Sequence, residues 1–439
     1  MQQLNTIQQL YALYTQSYTV CTDTRNILPN SVFFALKGAN FNGNTFAIDA
    51  LSKGAAYAIV DETITTNDAR VYKVENVLQT LQQLATYHRQ QLQIPFIAIG
   101  GSNGKTTTKE LLLAVLAKKY RTYATKGNLN NHIGVPLTLL AIKPDIEMAV
   151  IEMGTNQPGD MEELCTIAQP NYGITTNIGK EHLEGFGSME AIAKEESILY
   201  LHLLKNNGLA FVNANNEWLC RMASRLERVY KYGYTTADKE VFSADYTGRL
   251  LQANPNIHCQ LPNTEGKTIA QLSGEYNFEN IMAAAAIGHY FNVDAALIQE
   301  AVAGYTPTNN RSQIVVKGSN TLYMDCYNAN PSSMEAALKN FAAYQVPNKV
   351  VVMGDMLELG SFAPAEHEAM AKLCQQLGFE TVYCVGPLFA PYAQLMDAQA
   401  FENAEALKQY FIQHPLQNSY ILFKASRGIA LEKAAEAIV

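Results

Sequence analysis

Apolar and polar positions near the start of the chain alternate in short segments, Ser31 to Leu36 and Ala56 to Val60, divided by Gly- and Asn-rich turns. Such alternation marks strands with two unlike faces. Residues 1–90 therefore read as a small α/β module that ends in a helical run, Val77 to Gln91. After Ile94-Pro95 the pattern changes. Phe96-Ile97-Ala98-Ile99, Met148-Ala149-Val150-Ile151 and Tyr172-Gly173-Ile174-Thr175 are short apolar runs between stretches of helical periodicity, the form taken by parallel strands buried on both faces. Beyond Arg311 the alternation restarts with Lys349 to Met353, Thr381 to Val385 and Tyr420 to Phe423, each followed by a helical pattern, so a second βαβ domain is expected.

Length and composition narrow the class. At 439 residues, with 48% hydrophobic and 16% charged, the chain can bury two or three cores and is neither disordered nor fibrous. Lys+Arg 32 against Asp+Glu 40 leaves a net charge of −8, without the basic stripe that nucleic acid requires. The first ten residues are polar and Gln-rich and no later stretch is apolar enough to span a bilayer, so a cytoplasmic protein without membrane insertion is expected. Seven cysteines, at 21, 165, 220, 259, 326, 374 and 384, form no C-x-x-C pair, which suggests reduced thiols and neither a disulfide framework nor a zinc site.

Chemistry enters after the first buried strand. Gly101-Ser102-Asn103-Gly104-Lys105-Thr106 leads from it into a helical pattern over Lys109 to Lys119. In that context glycines let backbone N–H groups converge on phosphate oxygens and the helix N-terminus adds its dipole. Lys105 then neutralises β/γ charge, and Thr106 offers a hydroxyl to Mg²⁺. The longer G-x-x-x-x-G-K-[ST] spacing fails, because the position five before Gly104 is Ile99. By itself the loop implies only a bound nucleoside triphosphate.

The next apolar strands end in Glu152 and in Thr176-Asn177-Ile178-Gly179-Lys180-Glu181-His182. Ligands of open α/β sheets collect beyond the carboxyl ends of strands, so Glu152 is either a metal-facing carboxylate or an ordinary strand-end residue. His182 is either a ligand or a hydrogen-bonded structural histidine. Lys105, Glu152 and His182 at equivalent sheet ends together point to metal-assisted phosphoryl transfer. Asparagines in Gly127-Asn128-Leu129-Asn130-Asn131-His132 either bind substrate or cap a helix over Val135 to Ala141.

In this order G-x-x-G-K-T-T, N-x-N-N-x-x-G-x-P, the strand glutamate and T-N-I-G-x-x-H-L-x-x-F-G-S resemble the ATP-dependent Mur ligases of peptidoglycan synthesis. Later segments narrow the resemblance to the branch that joins D-alanyl-D-alanine to UDP-N-acetylmuramoyl-tripeptide. They are Arg311-Ser312-Gln313, Asp325 to Met334, Gly354 to Gly360 and Lys424-Ala425-Ser426-Arg427. Asp23-Thr24-Arg25 with Phe33 to Gly38 is similar to that family's uridine-diphosphate-binding module.

The resemblance implies an α/β enzyme of three domains. These are a UDP-substrate-binding module at 1–90, a central P-loop ATPase-like parallel sheet domain at 91–312 and a C-terminal Rossmann-like domain at 313–439. It implies ATP and Mg²⁺ as cofactors, an acyl phosphate on the tripeptide, a monomer, and two substrates, UDP-N-acetylmuramoyl-tripeptide and D-alanyl-D-alanine. ATP is then cradled by Gly101, Asn103, Gly104, Lys105, Thr106 and Thr107, with Asn277 near adenine and Arg311 and Asp325 closing from either side. Two cations are implied, one held by Thr106 and Glu152 between the β- and γ-phosphates, the other held in part by His182 and facing the acyl phosphate. Thr24, Arg25 and Asn44 are assigned to the uridine diphosphate, and Asn328 and Asn330 to the dipeptide or to a turn before a helix over Ser332 to Phe341.

Relatives carry a carbamylated lysine fourteen positions after the motif histidine, and this chain has Glu196 there. Either Glu196 supplies the carboxylate directly as a catalytic residue, or the second cation site is weakened. The sequence also departs from the family at Glu275-Tyr276-Asn277 and Asn42-Gly43-Asn44. Competing readings are another Mur-type or folylpolyglutamate synthase-like amide ligase, and a nucleotide-binding homologue without catalysis.

Overall fold

The computed structural model describes residues 2–4, 6–237, 240 and 243–439. They build three main sheets. The first is wholly parallel, in the order Gln2–Gln3, Val71–Lys73, Tyr57–Val60, Val32–Phe34, Val20–Cys21. Its helix Val77–Gln91 starts at Asn76, whose side chain accepts from the Gln79 N–H. That helix turns one face to the helix Ile7–Tyr14 and another to the helices Gly134–Leu140 and Asp160–Ala168. Phe34, Leu81, Leu84, Phe96 and Ile151 accordingly share one continuous core.

The central sheet has nine strands. At its middle lies Phe96–Gly100, flanked by Met148–Glu152 on one side and Tyr172–Thr175 on the other, all parallel. Phe96 to Ile99 are wholly excluded from solvent, and each large apolar side chain so buried contributes about 1.5–3 kcal/mol. One side continues to Thr122–Ala124, the other through Leu209–Asn213 and Val229–Thr235 to Tyr246–Gln252, beyond which Ile257–Gln260 and Thr268–Ala270 pair antiparallel. Helix Lys105–Leu116 packs against Glu275–Tyr290.

The third sheet runs Gln313–Lys317, Asn320–Asp325, Tyr420–Lys424, Lys349–Gly354, Thr381–Val385, Gln399–Phe401. Its first pair is antiparallel and the rest parallel. Alternation alone did not reveal that opening hairpin, because Val316 is exposed and its neighbours only half-buried at an edge. The core of this unit also takes in Leu183, Phe186 and Ile192 from the central stretch of the chain. Among the described residues no helix is long and apolar enough to cross a membrane.

Candidate active site

Three adjacent strands deliver the chemistry to one edge. Glu152 pairs with Ile99 and Thr175 with Gly100, so the loop after Phe96–Gly100, the Glu152 carboxylate and the Thr176 to His182 segment all leave the sheet at the same level. This is the switch point at which open α/β sheets bind ligands. Gly104 caps the helix Lys105–Leu116 at φ +83°, where a Cβ would also strike the Asn280 amide. At Gly101, with φ +107°, a Cβ would strike the Thr176 hydroxyl. Only glycine fits either place.

Lys105 Nζ donates to the carbonyls of Gly101 and Ser102 and faces Glu181 Oε2 at 3.5 Å. Thr106 Oγ1 donates to Glu152 Oε1 at 3.1 Å, as does Asn130 Nδ2 at 2.9 Å. Glu152 Oε2 forms no hydrogen bond and lies 3.4 Å from the Lys109 ammonium. His182 adopts a left-handed φ of 44°, which sets its Nδ1 2.7 Å from Glu358 Oε2 of the C-terminal unit and leaves Nε2 3.9 Å from Glu181. The approach of His182 holds the Glu358 carboxyl below its usual range.

The C-terminal unit closes the opposite wall. Asn330 Nδ2 donates to Asn103 Oδ1 at 2.9 Å, while its own Oδ1 caps the helix Pro331–Ala342. Asp325 accepts from the Ser312 N–H at 3.1 Å and pairs with Lys424 at 2.9 Å. Arg311 lays its guanidinium 3.8 Å over the Tyr327 ring, its Nε buried without a hydrogen bond. Asn277, on Glu275–Tyr290, donates to Ser273 O and accepts from Asn280.

These groups line one cavity of 510 Å³, reached by Asn103, Gly104, Lys105, Thr106 and Thr107 from the loop, by Glu152 and His182, and by Asn277, Arg311, Asp325, Asn328 and Asn330.

Other expectations meet a different outcome. Glu196 does not face the cavity. Wholly buried on the helix Met189–Lys205, it accepts from the Gly101 N–H at 2.6 Å and the Thr155 hydroxyl at 3.1 Å, beneath the loop. Both of its oxygens are thus taken by protein donors, and the Gly101 amide points inward rather than at a ligand. Burial, against Lys105 and with Glu181 adding to it, pushes the Glu196 carboxyl up to about 7. In the first unit Arg25 folds onto Asp23 at the surface, and the buried Asn44 amide is engaged with Asn42 and Asp61. Neither they nor Thr24 reach this cavity.

Sequence reasoning gave no role to Lys109, Glu181, Tyr327, Glu358 and Lys424. Lys109 opens the helical run to Lys119, Glu181 stands inside the Thr176 to His182 segment and Glu358 inside Gly354 to Gly360, but nothing local shows where each side chain points. For a cation, the observed donors are hard oxygens suited to Mg²⁺, with Glu152 Oε2 lacking a hydrogen bond. Among the described residues no three His, Cys, Asp or Glu side chains form a ready-made cluster, so phosphate oxygens would have to complete the coordination.

The sequence matches two family descriptions, "Mur ligase middle domain" over residues 99–288 and "Mur ligase, glutamate ligase domain" over residues 310–427. A relative in Bacillus subtilis, described as UDP-N-acetylmuramoyl-tripeptide–D-alanyl-D-alanine ligase, is 32% identical over 436 residues, covering 97% of this chain and 94% of its own length. The crystal structure of MurF from Acinetobacter baumannii superposes with a TM-score of 0.85 at 29% identity, covering 98% of each chain. MurF ligase from Thermotoga maritima, solved in complex with ADP, gives a TM-score of 0.80 at 26% identity, covering 95% of this chain and 96% of that one.

Proposed function

The chain belongs to the Mur ligase family, and we propose that it joins D-alanyl-D-alanine to UDP-N-acetylmuramoyl-tripeptide as ATP becomes ADP and phosphate. One observation carries the reading: a single cavity has the Lys105 loop, Glu152 and His182 on one wall and Arg311, Asp325 and Asn330 on the other. A ligase of two substrates and ATP needs such a chamber, because it must hold a triphosphate beside a carboxylate and exclude water from the activated product.

A carboxylate resists nucleophiles. In the proposed reaction the terminal carboxylate oxygen of the tripeptide takes the γ-phosphoryl group and ADP leaves. The dipeptide nitrogen then attacks the acyl carbon, and the C–O bond to phosphate breaks as the nitrogen loses its proton. Lys105 neutralises γ-phosphate charge, and the N–H groups at the start of Lys105–Leu116 turn toward the phosphates. Thr106 and Glu152 would hold one Mg²⁺ and His182 would help hold a second, and when bound these ions spread the charge developing on the phosphate oxygens. Asn277 and Arg311 orient the nucleotide. Asn328 and Asn330 are assigned to the dipeptide, and Thr24, Arg25 and Asn44 to the uridine diphosphate. Domain limits at 90 and 312, a monomeric state and a cytoplasmic location complete the proposal.

The test is phosphate release with ATP, Mg²⁺, UDP-N-acetylmuramoyl-tripeptide and D-alanyl-D-alanine. Release that requires both cosubstrates supports the reading. Release with a different amine, or none at all, overturns it.

A further inference from the structure

Glu181 is placed as a ligand is placed. It lines the cavity, its side chain is 5% exposed, and its Oε1 forms no hydrogen bond. Its Oε2 lies 3.5 Å from Lys105 Nζ and 3.9 Å from His182 Nε2. The far side of that imidazole is already fixed, since Nδ1 sits 2.7 Å from the Glu358 carboxylate. A histidine steadied at one nitrogen by a carboxylate presents the other as a metal donor, and here that nitrogen turns toward Glu181.

Among the described residues, Lys105 is the ammonium paired with Glu181. A triphosphate in the cavity draws Lys105 onto its γ-oxygens, as the loop's chemistry requires. Glu181 would then be a buried carboxylate without its countercharge, which is costly. A divalent cation shared between this carboxylate and the arriving phosphate restores the balance, and carboxylate oxygens are what hard cations take. We propose that Glu181 is a further ligand, beside His182 Nε2, of the second divalent cation already assigned to His182, and that Lys105 stands in for that cation while the nucleotide is absent. This rests on the ATP-binding reading above.

The experiment uses the full chain with Mn²⁺ and an ATP analogue bridged by methylene between its β and γ phosphorus atoms, counting bound Mn²⁺ by electron paramagnetic resonance. Wild type should bind one more Mn²⁺ per chain than Glu181→Gln, or bind it at least about tenfold more tightly, with analogue affinity in saturating Mn²⁺ preserved. Glu181→Asp, which keeps a carboxylate, should retain the extra ion. Equal Mn²⁺ counts and affinities in wild type and Glu181→Gln overturn the proposal, as does an Asp variant that behaves like the Gln one. Mn²⁺ counting involves no ligation. A chain that keeps the Glu181-dependent ion yet joins no dipeptide therefore refutes the ligase reading alone.

Discussion

Asn330 Nδ2 donates to Asn103 Oδ1 at 2.9 Å across 227 positions of sequence, while Asn330 Oδ1 accepts from the Ser333 N–H at 2.8 Å and caps the helix Pro331–Ala342. One amide thus ties the C-terminal unit to the glycine-rich loop and starts a helix. Asn330→Asp keeps a good cap but loses the donor. Melting should shift by less than about 1 kcal/mol, while the KM for ATP rises about tenfold, the equivalent of roughly one hydrogen bond. Asn330→Ala should lose about 1 kcal/mol more in stability. An unchanged KM in the Asp variant would show that the contact has no part in holding the loop.

Glu152 balances its buried charge against Lys109 at 3.4 Å. Removing one partner of such a pair costs about 3–5 kcal/mol, because the other charge stays buried and alone. Lys109→Met should therefore be markedly less stable by chemical denaturation. If Glu152 takes a cation, Mg²⁺ with ADP should raise the melting temperature of this variant more than that of wild type. Equal increments in the two proteins would count against Glu152 as a metal ligand.

Burial lifts the Glu196 carboxyl from 4.5 to about 7. The folded chain therefore holds a proton that the unfolded chain releases near pH 4.5. Stability from this group is fully present below that pH and is lost as pH rises through about 7. Glu196→Gln removes the titration, so its stability relative to wild type should improve between pH 5 and 8 by on the order of a few kcal/mol. A constant difference across that range would contradict the assignment. Because a glutamate needs no carbamylation, turnover should also be the same with and without bicarbonate.

Arg311 stacks its guanidinium 3.8 Å above Tyr327, an arrangement a lysine does not reproduce. Arg311→Lys keeps the charge but loses the planar face, and should lower kcat/KM for ATP about tenfold, roughly the strength of a desolvated cation–π contact. Tyr327→Leu should give a similar loss, and the double variant less than the sum of the two. Strict additivity would mean that the two side chains act separately.

The sequence alone carried the strand–loop–helix that cradles phosphate, and it carried the three strand ends that bear Lys105, Glu152 and His182. Those features are local: buried apolar runs, a glycine turn and a helix start are written within a dozen neighbouring residues, and the rule that ligands gather at strand ends supplies the rest. Tertiary structure alone decided which way side chains at those ends face. It turned Glu196 under the loop onto the Gly101 N–H and brought Glu181 into the cavity between Lys105 and His182. It also set Glu358 against His182 and Asn330 against Asn103. Such pairings depend on how strands are ordered in a sheet and how two units dock. Those choices are made by burial of whole faces, and no short stretch of chain encodes them.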